Sequence, residues 1–261
     1  MASYETIEFE TQNRVAVITL NRPDAANGLN AKMASELAHI AGQCKSDPNV
    51  RAVVLTAKGR FFCAGGDIKE MESHGDNIGP EIKSLADDLH IAISIFARMD
   101  APLIIAVNGM AAGAGFSLAV SGDLVIASEA AGFMMAYTNA GLSPDGSSSY
   151  FLPRLIGLRR TQELMLTNRK LSAQEAQDWG LINKVVEANK LLDEAMTIAK
   201  RLASGALKSH AAVKKLLLLT YDNSLEDQME IEGQTISDCA VSKDGREGIS
   251  AFTNKRKPDF Q

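Results

Sequence analysis

The sequence predicts an α/β protein whose last third is helical. Over residues 1–128, short β-prone runs alternate with segments of helical apolar spacing, the order of a mostly parallel sheet with helices outside it. From Leu152 onward nearly every segment has helical spacing instead. Hydrophobic residues make up 46% of the 261 and charged residues 23%, the balance of a chain that buries a large core.

Taken in order, Ile7–Glu10 and Arg14–Leu20 read as adjacent strands joined through Thr11-Gln12-Asn13. Asn30 is placed to cap a helix over 31–45, with Met33, Leu37, Ile40 and Ala41 on one face. Asp47-Pro48-Asn49 stops it, and residues 51–56 form a buried strand. A loop over 59–66 follows, and then Asp67 opens a short helix, where a carboxylate meets the positive end of the dipole. Residues 74–80, with two glycines and a proline, read as a loop before a helix over 81–98. Residues 101–122 carry only three polar side chains, Asn108, Ser117 and Ser121, and approach the length of a membrane span. Asn108-Gly109 and Gly113-Ala114-Gly115 divide them instead into a buried strand, a turn and a small-residue helix. Residues 123–128 are the next strand. Helical patterns then cover 158–167, 173–179, 191–203, 207–220, 225–238 and 243–252, with Val185-Val186 a strand-like interruption.

Lys+Arg 27 against Asp+Glu 32 gives net −5, which argues against a nucleic-acid footprint or a polybasic membrane patch. Three cysteines make no disulfide framework and fit a reducing compartment. The acidic start shows no targeting pattern, so a cytoplasmic location is expected. No phosphate-binding loop, dinucleotide fingerprint, C-x-x-C, H-E-x-x-H or G-x-S-x-G is present, so neither a metal nor a separate cofactor is expected.

Two Gly-rich turns remain, Ala64-Gly65-Gly66 and Gly113-Ala114-Gly115. Each leads from a strand toward a helix N-terminus, where backbone N–H groups lack partners. Two such groups converging on one oxygen make an oxyanion hole. Either turn alone is equally a tight packing turn. A third segment, Leu142-Ser143-Pro144-Asp145-Gly146, offers a carboxylate in a turn, where it would also serve as a helix cap.

The chain resembles the crotonase, or enoyl-CoA hydratase/isomerase, superfamily over nearly its whole length. The matching runs are Leu20-Asn21-Arg22-Pro23 with Asn27 and Leu29-Asn30; Phe62-Cys63-Ala64-Gly65-Gly66-Asp67-Ile68; Ile105-Ala106-Val107-Asn108-Gly109; and Gly113-Ala114-Gly115 through Asp123. Leu152-Pro153-Arg154, Trp179-Gly180-Leu181-Ile182 and residues 248–256 follow in family order. The resemblance implies a ββα spiral core over 1–195, a helical region over 196–261 for trimerisation, and an acyl-CoA substrate in a homotrimer or hexamer. Coenzyme A would be part of the substrate. By the same resemblance the oxyanion hole is the N–H groups of Gly66 and Ala114. Ala64, Asp67 and Ile68 match the backbone that meets the CoA adenine, and Phe252 and Lys255 match positions that approach CoA from a neighbouring subunit.

Hydratases of the family resemble one another in two glutamates, and the corresponding positions here are Ser117 and Tyr137. Adding water needs a base for the water and an acid for carbon, and neither side chain supplies both. Asp145 remains. It aligns with the single acid/base of Δ3,Δ2-enoyl-CoA isomerases and with the Asp of 1,2-epoxyphenylacetyl-CoA isomerases, which implies an isomerase that shifts a double bond, as in β-oxidation. Dienoyl-CoA isomerases resemble the chain at Asp145 too, but need a second acid where Tyr137 stands. Residues 158–169 and 175–181 also resemble 4-chlorobenzoyl-CoA dehalogenases, in which the aligned Asp is a nucleophile and the residue matching His90 is catalytic. The ring-packing aromatics of those enzymes are Gly66 and Leu89 here. His90 otherwise reads as a helix residue beside the cleft, flanked by Leu85, Leu89 and Ile93. A non-catalytic CoA- or RNA-binding relative is the remaining alternative.

Overall fold

The structure is a computed structural model and describes residues 4–260. A hairpin opens it, β1 (Ile7–Gln12) antiparallel to β2 (Val15–Leu20). The reversal falls on Asn13 and Arg14, both left-handed (φ 51° and 66°), one residue later than the sequence suggested. That two-residue turn matches the right-handed twist of the strands it joins. Strands β3 (Ala52–Ala57), β5 (Leu103–Val107), β7 (Leu124–Ser128) and β10 (Lys184–Val186) continue the sheet in parallel, in the order β1-β2-β3-β5-β7-β10.

Side chains alternate across this sheet as the pleat requires. Ile18, Val53, Leu55, Ile105 and Ala127 face the larger core, which includes α1 (Ala31–Ser46) and α3 (Ile78–Arg98). Val17, Val54, Ile104 and Ile126 face α7 (Leu191–Ala203), which covers the other side with Leu191, Ala195, Ala199 and Ala203. Helix α7 is continuous across 195/196, so that point in the chain lies inside a helix docked on the sheet. Asn30 caps α1, its side chain accepting the Met33 N–H at 3.0 Å, as its position predicts.

A second sheet escaped the sequence reading. Strands β4 (Phe61–Cys63), β6 (Met110–Ala112), β8 (Gly132–Met134) and β9 (Leu171–Ser172) pair in that order. None exceeds three residues, too short for an alternation signal, and two lie where a loop and a turn were expected. Helix α3 also begins earlier than the predicted 81, at Ile78, with Pro80 in its first turn where a missing N–H costs nothing. A short 3-10 turn, Gly75–Asn77, joins it to α2 (Ile68–Ser73), so residues 74–80 are mostly helical.

The 101–122 stretch resolves into β5, β6 and α4 (Ala114–Val120), and among the described residues no helix is long and apolar enough to cross a membrane. Helix α5 (Ser148–Thr167) is broken at Gly157 (φ 77°), which explains why periodicity begins cleanly only at 158. After α6 (Ala173–Asp178) and α7 come α8 (Leu207–Leu219), α9 (Leu225–Val241) and α10 (Lys243–Thr253). Buried Lys214 fastens α8 to the core. Its Nζ donates to the carbonyls of Phe96 (2.8 Å) and Ala101 (3.0 Å) and pairs with Asp123 at 2.8 Å.

Candidate active site

The two Gly-rich turns come together because β4 and β6 run parallel and side by side. Gly65 (φ 106°) and Gly113 (φ 50°) take backbone conformations that a side chain would strain. A Cβ built on Gly113 would lie 3.4 Å from the Gly65 Cα, so the turns touch. A Cβ on Gly115 would overlap the Cys63 carbonyl. Gly66 N–H and Ala114 N–H have no acceptor among the described residues. Buried Cys63 sits beneath them, and desolvation pushes its thiol up to about 11, so it stays protonated and unreactive.

A cavity of about 480 Å³ opens over the turns, within the usual range for a small-molecule site. Ala64, Gly66 and Ala114 form one end, and Asp145 and Tyr137 face it. Ile82, Leu85 and Leu89 of α3 give an aliphatic wall, and Leu142 also lines the cavity. Among the described residues lining it, Asp145 is the only carboxylate.

The Asp145 side chain does not cap α5. Its Oδ1 lies 2.8 Å from His90 Nε2 instead, with both side chains half-exposed. His90 is thus a helix residue beside the cleft, as its flanks suggested, and it also touches the candidate carboxylate. Its apolar flanks put it on α3, and Asp145 reaches it from 55 positions away. Gly146 and Ser147 follow in consecutive left-handed conformations (φ 62° and 66°), which turn the chain sharply into α5.

Asp145 is held by its own main chain. Its carbonyl oxygen accepts hydrogen bonds from Ser117 Oγ (2.7 Å), Ser148 Oγ (2.9 Å) and Tyr137 OH (3.2 Å). Ser117 and Tyr137 hydroxyls also meet at 3.0 Å. Burial pushes the Tyr137 phenol well up, so it remains a neutral donor. Ser148 was not singled out from the sequence. It is the middle of three consecutive serines, and only the fold selects which one turns toward Asp145.

Of the remaining candidates, Ala64 and Ile68 line the cavity, Ile68 being 56% exposed. The Asp67 side chain turns elsewhere, accepting the Glu70 N–H at 3.3 Å as the α2 cap and pairing with Arg22 at 2.9 Å. Burial alone would raise its pKa, but Arg22 and the helix N–H groups outweigh burial and hold it below the usual aspartate value. Phe252, 89% exposed, lies in the last turn of α10 and Lys255 two residues beyond the helix, and neither lines the cavity of its own chain. No cluster among the described residues is arranged to hold a metal ion.

The family model for enoyl-CoA hydratase/isomerase matches residues 10–261. The chain belongs to the enoyl-CoA hydratase/isomerase family. It is 37% identical to 1,2-epoxyphenylacetyl-CoA isomerase of Escherichia coli K12, covering 98% of each chain. It is 38% identical to a "Probable enoyl-CoA hydratase" of Rhodobacter capsulatus, covering 99% of this chain and 98% of that one. A crystal structure of an enoyl-CoA hydratase from Polaromonas sp. JS666 superimposes with a TM-score of 0.92 at 34% identity, covering 98% of this chain and 99% of the other. This hydratase/isomerase chain is therefore a crotonase-fold enzyme of acyl-CoA chemistry, and relatives of similar likeness carry both reaction names.

Proposed function

We propose that the chain is an enoyl-CoA isomerase in which Asp145 is the single acid/base. The carrying observation is that Asp145 is the one carboxylate among the described residues lining the cleft, while the positions that would hold a hydratase's glutamates are hydroxyls bound to the Asp145 carbonyl. In a 3-enoyl thioester, C2 is both α to the carbonyl and allylic. Asp145 takes the C2 proton, the thioester oxygen gains negative charge between the N–H groups of Gly66 and Ala114, and Asp145 delivers a proton at C4. The C–C double bond moves into conjugation, and no water is consumed. A relative named as an isomerase at 37% identity supports this reading. Coenzyme A is part of the substrate, and the mechanism calls on no metal.

The test is conversion of 3-hexenoyl-CoA to the conjugated 2-enoyl product, followed by thioester absorbance. Asp145→Asn is expected to lower kcat at least ~100-fold, the scale of a positioned acid/base. A rate unchanged by that substitution rejects the mechanism. The His90–Asp145 contact also favours a second reading, a dehalogenase in which Asp145 attacks an aryl ring. The aliphatic wall around Gly66 and Leu89 offers no stacking surface for such a ring and counts against it. Chloride release from 4-chlorobenzoyl-CoA would reverse that ranking.

A further inference from the structure

The Asp145–His90 pair stands between two cavities that share no lining residue. Asp145 lines the acyl cleft. His90 lines a separate cavity of about 440 Å³ farther along α3, bordered by the first turn of α5 and the end of α8. Ser94, Arg98, Ser147 and Asp222 give that rear cavity polar walls, and its volume holds several waters. A bound acyl-CoA would fill the cleft and cut Asp145 off from solvent on that side. The rear side stays open through a half-exposed imidazole in hydrogen-bond contact with the carboxylate.

We infer that His90 relays the proton held by Asp145 to and from solvent in the rear cavity during turnover. The inference rests on the isomerase reading for its substrate. Asp145 takes the C2 proton, and the C–H electron pair becomes the dienolate. The neutral acid passes that proton from Oδ1 to the Nε2 lone pair of an imidazole carrying its own proton on Nδ1. This leaves a carboxylate and an imidazolium. The half-exposed imidazolium turns from Asp145, gives that Nε2 proton to water in the rear cavity and takes a solvent proton back at Nε2 while Nδ1 keeps its own, and the reverse path returns the solvent proton through Asp145 to C4. No charge or atom is left over. The product therefore carries a hydrogen from solvent, where an isolated carboxylate would hand the same one from C2 to C4.

The experiment is turnover of 3-hexenoyl-CoA in D2O at low conversion, with deuterium at C4 read by mass spectrometry. Wild-type product is expected to be mostly labelled. His90→Gln keeps a hydrogen bond to Asp145 without a proton to relay, and its label per turnover is expected to fall at least about fivefold. A purely structural role for His90 would lower rate without moving that ratio. Unlabelled wild-type product, or equal labelling in both proteins, overturns the relay. A second arm follows α-hydrogen exchange of hexanoyl-CoA in D2O, which needs the base and the oxyanion site but no double bond. Exchange that depends on His90 without isomerisation would sustain the relay and defeat the isomerase reading. Isomerisation without label would do the opposite.

Discussion

Ser117 and Tyr137, which by resemblance match the two glutamates of hydratases, direct their hydroxyls at the Asp145 carbonyl. Fixing a main-chain oxygen fixes the Cα from which the carboxylate projects, which matters for a group proposed to reach both C2 and C4 from one position. Ser117→Ala and Tyr137→Phe each remove one donor of about 1 kcal/mol while Ser148 still holds the oxygen. Each is expected to lower kcat by about fivefold with little change in KM, and the double variant by more than the product of the two. Steady-state kinetics on the enoyl thioester check this. An unchanged kcat in both single variants would show that the clamp has no part in the chemistry.

At the scale of elements, β1 is an edge strand held by one buried carboxylate of α1. Glu36 accepts the Glu5 N–H (2.8 Å), the Thr6 N–H (3.0 Å) and the Thr6 hydroxyl (2.5 Å). Burial pulls its pKa upward, but these hydrogen bonds and Lys32 outweigh burial and leave it below the usual glutamate value. A lowered folded pKa means that the anion stabilises the fold, fully above the ordinary glutamate range. That contribution is lost as pH falls through the lowered value. Glu36→Gln is expected to cost about 1–2 kcal/mol at pH 7 in urea unfolding, with the gap to wild type closing in acid. A gap that stays constant down to pH 3 would contradict this account.

At the scale of the molecule, α8–α10 keep large apolar side chains in water: Leu217, Leu225, Ile236, Val241, Ile249 and Phe252 are all more than 60% exposed. A lone soluble chain rarely leaves so much apolar surface uncovered. The trimer or hexamer that the family resemblance implies would cover it. Sedimentation equilibrium is expected to give three or six times the 28.0 kDa chain mass, and Ile236→Arg to shift the population toward monomer. A wild-type monomer at micromolar concentration would reject the assembly.

By itself the sequence determined the α/β alternation, the capping of α1 by Asn30, the boundaries of α7 and the two glycine turns. Each is written in local periodicity or in a residue type that a single backbone position demands. Gly66, Ala114 and Asp145 were singled out by motif resemblance, and the fold brings all three to one cavity. Only the tertiary structure decided the four-stranded second sheet, since two- and three-residue strands carry no period and exist only by pairing. It alone decided that Ser117, Tyr137 and Ser148 grip one carbonyl, and that His90 meets Asp145 across 55 residues. Those contacts join α3, α4, the turn before α5 and α5 itself. Nothing local encodes them, because their partners become neighbours only when the sheets pack.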